Sequence, residues 1–392
     1  MTYSRPLCRT EKVYLVLDEK RPGFANQFIL EGTGVLDREK WQKAVETASE
    51  ANPGSRLVLR GTWAFSRWVD SGITPRVREM DSNGWDGSGP ERGPAFLNES
   101  LPAREGPTCE VILLHGDPHR IIFRTHHAVM DGRGTLHWIE DIIRALNGLP
   151  VNGSDSRITE LEMCKSFQKK GRTPPAPEFI APTGMPEPGK AGVTWQHIRI
   201  PGRYKNLMGQ VAVLIARYAW KNGEGRVRFS IPVDLRPRKE GIRATGNLTN
   251  FIYLYPTPGT TPKDIRRDMA QQLEELKDGM LYWGDRLIPF MPMGMIRRSI
   301  DKQLSVRNTT GRYHTTAVIS NMGYVPVEYM QGAGFFGNYG WAIPPCQELM
   351  PLFFGMGAVE NGTILMVSIP NSLASGGRMD AFIDYIREGL VP

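Results

Sequence analysis

The sequence predicts an α/β protein built as two similar halves, on three observations. Strand-like and helix-like stretches alternate on both sides of the chain's middle. Residues 172–193, "RTPPAPEFIAPTGMPEPGKAGV", carry six prolines. Such a segment is neither a helix interior nor a central strand, so it reads as an extended connector. At 392 residues the chain exceeds one ordinary core. Residues 1–171 are therefore expected as an N-terminal half and 194–392 as a C-terminal half.

In the first half, "KVYLVLDE" (12–19) reads as a strand because its apolar residues run together. "DREKWQKAVETASEANP" (37–53) predicts a helix with Asp37 as N-cap and Pro53 past its end. "RLVLRGTWAFSRWV" and "TPRVREMD" read as strands around a turn. "TCEVILLHGDPHRIIFRTHH" (108–127) reads as a hairpin turning at Gly116-Asp117-Pro118. In "TLHWIEDIIRALNG", Leu136, Ile139, Ile142, Ile143 and Leu146 share one face of a helix that Gly148 closes.

The second half repeats this texture. "YKNLMGQVAVLIARYAWKNG" is a mostly apolar helix ending at Gly223, and "VRFSIPVDLRP" and "NLTNFIYLYP" are strands. "TPKDIRRDMAQQLEELKDGM" is a helix with proline in its first turn. "HTTAVISNMG" and "TILMVSIPN" are further strands, and "RMDAFIDYIREGL" is a closing helix.

Hydrophobic residues make up 40% and charged residues 23%, an ordinary globular balance. There is no apolar run of membrane-spanning length and no signal-peptide pattern at the start. Cys8, Cys109, Cys164 and Cys346 lie far apart. That spacing argues against a zinc site or a disulfide framework and for a reducing, cytoplasmic setting. The net charge of +7 suits either a plain basic surface or an anionic partner. No nucleic-acid motif accompanies it, so coenzyme A phosphates, a phosphopantetheine arm or an acidic carrier protein fit better.

"FRTHHAVMDGRG" (123–134) concentrates the chemistry. It joins a predicted strand to a predicted helix. Successive strand residues face opposite ways, so of His126 and His127 one points into packing and the other into open space. A histidine in a cleft can act as a general base near neutral pH. Asp131 could orient that ring, or lock the loop by pairing with an arginine. Gly132 is expected to serve a positive φ or a close backbone approach. A purely structural histidine pair remains an alternative, and a metal site lacks a ligand set.

His126, His127, Asp131 and Gly132 match the HHxxxDG motif of condensation domains of nonribosomal peptide synthetases and their acyltransferase relatives. In "SIPVDLRPRKEGIRATGNLTN", an arginine precedes Gly-Asn by about ten residues, as in that family. "VISNMGYV" resembles its Ser-Asn-x-Gly strand end. The resemblance implies a chloramphenicol acetyltransferase-like fold, two sheet-plus-helix halves in a V around a central tunnel. It implies His127 as the catalytic residue, with His126, Asp131 and Gly132 architectural and Arg236 the partner of Asp131. Ser320 and Asn321 are candidates to meet an oxyanion.

The implied activity is acyl transfer from a thioester of coenzyme A or of a carrier protein's phosphopantetheine. The acceptor is a small-molecule amine or alcohol, with no metal and no tightly bound cofactor. The setting is specialised-metabolite biosynthesis by a free-standing, monomeric enzyme, any carrier protein coming in trans. A coenzyme A-dependent wax-ester or alcohol O-acyltransferase, an epimerase and a non-catalytic docking pseudo-enzyme are the alternatives.

Arg238 and Lys239, in a run of basic residues, are candidates for donor phosphate or carrier contact. So are Arg297 and Arg298 in "MPMGMIRRSIDK", whose methionines suit an adaptable channel wall or a plain core. "GAGFFG" (332–337) lacks the strand–helix context of a dinucleotide site. "SIDK" (299–302) matches SxxK without its companion motifs.

Overall fold

The computed structural model describes residues 2–62, 65–91, 93–169, 171–326, 330–360 and 362–392. The first half runs β1 (Ser4–Pro6), α1 (Arg9–Lys20), β2 (Ala25–Gly34), α2 (Arg38–Ala51), β3 (Leu57–Arg60), β4 (Arg67–Asp70) and β5 (Arg76–Asp81). It continues with β6 (Cys109–His115), β7 (His119–His126), α3 (Gly132–Leu146) and α4 (Glu160–Ser166). The second half holds β8 (Val193–Pro201), α5 (Leu207–Asn222), β9 (Phe229–Asp234), β10 (Thr249–Leu254), α6 (Pro262–Glu274) and α7 (Met293–Thr310). β11 (Ala317–Tyr324), β12 (Gln331–Gly332), β13 (Phe335–Ile343), β14 (Phe353–Val359), β15 (Gly362–Pro370), α8 (Asn371–Ala374) and α9 (Arg378–Gly389) complete the chain. Among the described residues no helix is long and apolar enough to cross a membrane.

Two six-stranded sheets organise these elements. One has the order β12-β13-β2-β7-β6-β5, the other β10-β9-β11-β14-β15-β8, and β1-β4-β3 form a small third sheet. The hairpin expected at 108–127 is β6–β7, with Cys109 opposite Thr125. The helix expected after Asp37 is α2, whose first turn is capped by Asp37 accepting from Lys40 N. On α3, Trp138, Ile139, Ile142 and Ile143 are buried on the core-facing side. In the turn between β3 and β4, Trp63 and Ala64 lie outside the described residues.

Several expectations need correction. Residues 12–19 form most of helix α1, not a strand. A capping box between Cys8 and Glu11 starts it. Its apolar residues run together because it is covered on two sides. Val13, Val16 and Leu17 pack with Ile296 and Ile300 of α7, while Leu15 and Tyr14 join the first half's core. The strands β2, β13 and β14 carry no clear period-two signal and went unassigned. Residues 293–302 form the first part of α7, with Pro292 as its N-cap, and "GAGFFG" spans the β12–β13 turn.

The division into halves is also crossed. β13 pairs along β2, with Trp341 opposite Ile29, so the second half completes the first half's sheet. The proline-rich connector is extended but firmly packed. Phe179 exchanges backbone hydrogen bonds with Tyr313 at 3.0 and 2.9 Å, and its side chain is buried.

The glycine expectation shifts by two residues. Gly132 has no positive φ, and a Cβ there would meet nothing closer than Phe28 Cζ at 3.9 Å. Gly134 is the crowded one, since its Cβ would lie 2.0 Å from the backbone oxygen of Thr245. α3 meets the second half at this backbone contact. Gly134→Ala is therefore expected to cost about 1–3 kcal/mol, whereas Gly132→Ala should leave the urea midpoint nearly unchanged. Equal effects of the two substitutions on that midpoint would contradict this packing.

Candidate active site

β7 ends at His126, and the strand's alternation separates the two histidines as expected. His126 is 1% exposed. Its Nδ1 accepts from Ala128 N at 3.1 Å, so its proton sits on Nε2, 3.5 Å from Asp18 Oδ2. Asp18, on α1, also accepts from Phe24 N at 2.9 Å and from Ser100 Oγ. Burial pushes the Asp18 pKa up, but the hydrogen bonds from His126, Ser100 and Phe24 outweigh it and hold the group below its usual value. His126 thus ties the strand end to α1.

His127 faces the other way and lines a cavity of about 230 Å³ between the halves. Its Nδ1 lies 3.1 Å from the Met130 carbonyl oxygen. A carbonyl only accepts, so Nδ1 carries the proton and Nε2 keeps its lone pair. The same oxygen accepts from Asn26 Nδ2 at 2.8 Å, which pins the carbonyl in place. Tyr14 stacks on the imidazole, centroids 4.4 Å apart, and Phe24 packs at 5.1 Å. Burial lowers the His127 pKa to about 4, against the raising effects of the Met130 carbonyl and Asp131. The ring is uncharged at neutral pH.

Asp131 does not touch either ring. It is the N-cap of α3, and its Oδ1 accepts from Gly134 N at 2.7 Å. Arg236 reaches it from the second half, Nη2 to Oδ1 at 2.9 Å and Nη1 to Oδ2 at 3.1 Å. Oδ2 also accepts from Leu248 N at 2.8 Å and Thr249 Oγ1 at 3.0 Å. Arg236 in turn donates to the carbonyls of Ala244 at 2.9 Å and Gly246 at 2.6 Å and to Asp234 at 2.7 Å. Burial opposes the carboxylate, but Arg236 and the backbone donors prevail and keep the Asp131 pKa below normal.

Ser320 and Asn321 of β11 line the same cavity from the second half. Asn321 Oδ1 accepts from Gly323 N at 2.9 Å, which turns its amide toward its own strand end. A larger cavity of about 660 Å³ adjoins, with Phe28, Arg133, Leu136 and Met322 bordering both. A third, of about 290 Å³, shares Gln27, Ile343, Pro344 and Pro345 with the central one. The His127 cavity therefore has neighbouring space on two sides.

The basic candidates do not converge on it. Arg238 is held by Asp278, Nε to Oδ2 at 2.8 Å, so its guanidinium is already neutralised. Lys239 is exposed beside a shallow depression shared with Arg133 and His137. Arg297 pairs with Glu19, and Arg298 is exposed on α7. None of the four lines the His127 cavity.

Sequence reasoning missed Tyr14, Phe24 and Asn26, which surround the ring, and Asn247. Asn247 Nδ2 donates to the His127 carbonyl at 3.1 Å. Tyr14 was hidden inside the misassigned strand, and Asn26 in a strand without a period-two pattern. Asn247 is the asparagine of the Gly-Asn pair after Arg236, the one available signal.

Asp131→Ala leaves the buried Arg236 with Asp234 as its remaining carboxylate and strands Gly134 N, Leu248 N and Thr249 Oγ1, at a cost of about 3–5 kcal/mol of stability. Urea unfolding measures it, and a loss below about 1 kcal/mol would overturn the role given to the pair. The Asp131 pKa is depressed on folding, so its stabilisation is present above the unfolded value of about 4 and is lost as pH falls through the folded value. The acid limb of the wild-type stability curve should therefore flatten in Asp131→Ala.

No family model and no curated protein sequence matches the chain. Solved structures do. The condensation domain of the Monacolin K polyketide synthase MokA aligns with a TM-score of 0.67 at 13% identity, over 98% of this chain and 96% of that one. The starter condensation domain of rhizomide synthetase RzmA, a substituted form in complex with C8-CoA and Leu-SNAC, also gives 0.67 at 13% identity, covering 99% and 94%. The first condensation domain of the calcium-dependent antibiotic synthetase, in complex with a substrate analogue, gives 0.66 at 16% identity, covering 98% and 95%. With similarity over nearly the whole length of each chain, the protein has the fold of the condensation domains.

Proposed function

We propose that this protein is a condensation-type acyltransferase, moving an acyl group from a thioester to an amine or hydroxyl acceptor, with His127 as general base. The observation that carries the reading is the state of His127. Its Nδ1 proton is committed to the Met130 carbonyl, and its Nε2 lone pair is left to a cavity between two lobes. The condensation-domain fold supports the same reading, and the donor is expected on coenzyme A or on a phosphopantetheine arm.

The acceptor heteroatom attacks the thioester carbonyl carbon while its proton passes to Nε2. The carbonyl oxygen becomes anionic, and Ser320 is proposed to meet it, with Asn321 beside it. The carbon–sulfur bond then breaks, the thiolate takes the proton from the imidazolium, and the ring returns neutral. A ring held near pKa 4 accepts the proton as attack acidifies the acceptor, not beforehand. His126, Asp131 and Arg236 act on this chemistry by holding the strand end and helix in place.

Two outcomes test the reading. His127→Ala should lower kcat by about 10²–10⁴-fold with an unchanged melting transition, measured by product mass after incubation with acyl-coenzyme A and acyl-carrier protein in parallel. Wild-type turnover in that variant would remove the base. The active form is the neutral ring, so kcat/KM should hold down to about pH 5 and fall as pH drops through about 4. An acid limb centred at the ordinary histidine value of about 6.5 would contradict the enclosed ring.

A further inference from the structure

The larger cavity is a groove along α3. Arg133, Leu136, Glu140, Ile143 and Asn147 lie along its wall, spanning 15 residues, or about 20 Å at the helical rise. Its floor is apolar: Phe28 and Leu30 of β2 and Phe123 of β7 share one face of the sheet, with Gly340 of β13 beside Leu30. Among the described residues lining it, Arg133, Glu140 and Arg144 carry charge, and all three are on the helix. The volume of about 660 Å³ lies within the range of about 300–1,000 Å³ of ordinary ligand sites. At one end Phe28, Leu136 and Met322, with Arg133, form its border with the His127 cavity.

A long trough with an apolar floor that opens beside a reacting centre fits one class of occupant. A polar aminoacyl side chain would leave its donors and acceptors unpaired on this floor, at a cost of about 1–3 kcal/mol for each group. A hydrocarbon chain leaves none, and burying it gains about 0.8 kcal/mol per methylene. We infer that the α3 groove binds an unbranched hydrocarbon chain, and that the donor at His127 is accordingly a medium- or long-chain acyl thioester. The second half of this inference rests on the acyl-transfer reading of His127; the first half does not.

The test has a binding arm and a turnover arm. Calorimetric titration with decanoic acid is carried out on the full chain and on Leu136→Trp, which narrows the neck, and Ile143→Phe, which fills the groove two turns further on. Leu136 is only partly buried, so its variant guards against a folding failure at Ile143. Decanoate should bind the wild type and bind each folded variant at least tenfold more weakly. No binding to the wild type, or equal binding to all three, overturns the groove as a chain site. In the turnover arm, the ratio of kcat/KM for decanoyl-coenzyme A over acetyl-coenzyme A should exceed one and fall at least tenfold in the variants. A ratio that the substitutions leave unmoved overturns the donor assignment. If no thioester of any length is consumed, the acyl-transfer reading fails, while the binding arm still decides the groove.

Discussion

The buried pair between Asp131 and Arg236 sets the relation of the two halves. Two charges taken out of water cost several kcal/mol each, and neither has solvent to return to. The cost is offset because the partners saturate each other. Asp131 takes Arg236, Gly134 N, Leu248 N and Thr249 Oγ1, and Arg236 adds the carbonyls of Ala244 and Gly246. Such a set is satisfied in one arrangement of the halves. A shift of an ångström strands several polar groups at once, and the contact of Gly134 with Thr245 leaves no slack in the same place.

That constraint reaches His127 through a short chain of geometry. Asp131 starts α3, and the three residues between it and His127 form the turn whose Met130 carbonyl holds the ring's Nδ1. The halves are thus locked together within one turn of the ring that faces the space between them. The two histidines divide the work by the strand's alternation. His126 secures the strand end to α1 through Asp18, and His127 keeps one nitrogen for the cavity. α1 serves twice, since it also supplies Tyr14, which stacks on His127.

Much of the site was legible because it is local. His126, His127 and Asp131 lie within six residues, and strand alternation and helix capping act over that range. Arg236 was found through its family resemblance, and the structure puts its guanidinium on Asp131. The basic residues around Arg238 and Lys239 are less local. Proximity in sequence suggested one patch, yet Arg238 is drawn to Asp278, Arg243 to Glu140 and Asp141, and Arg226 to Glu178. Charges along a chain disperse when each finds its own partner.

The α/β alternation, the hairpin ending at His126, the capped helix after Asp131 and the opposite facing of the two histidines were written into the order of residues. Each follows from a period or a cap that a few consecutive residues encode. Packing between distant segments made 12–19 a helix, carried 335–343 across to the first half's sheet, and crowded Gly134 rather than Gly132. It also decided which nitrogen of His127 stays open and that a groove runs beside it. These depend on which distant segment covers a given face. An apolar run covered on two sides reads alike as strand or helix, and a glycine's neighbour across a fold leaves no mark on its own stretch of chain.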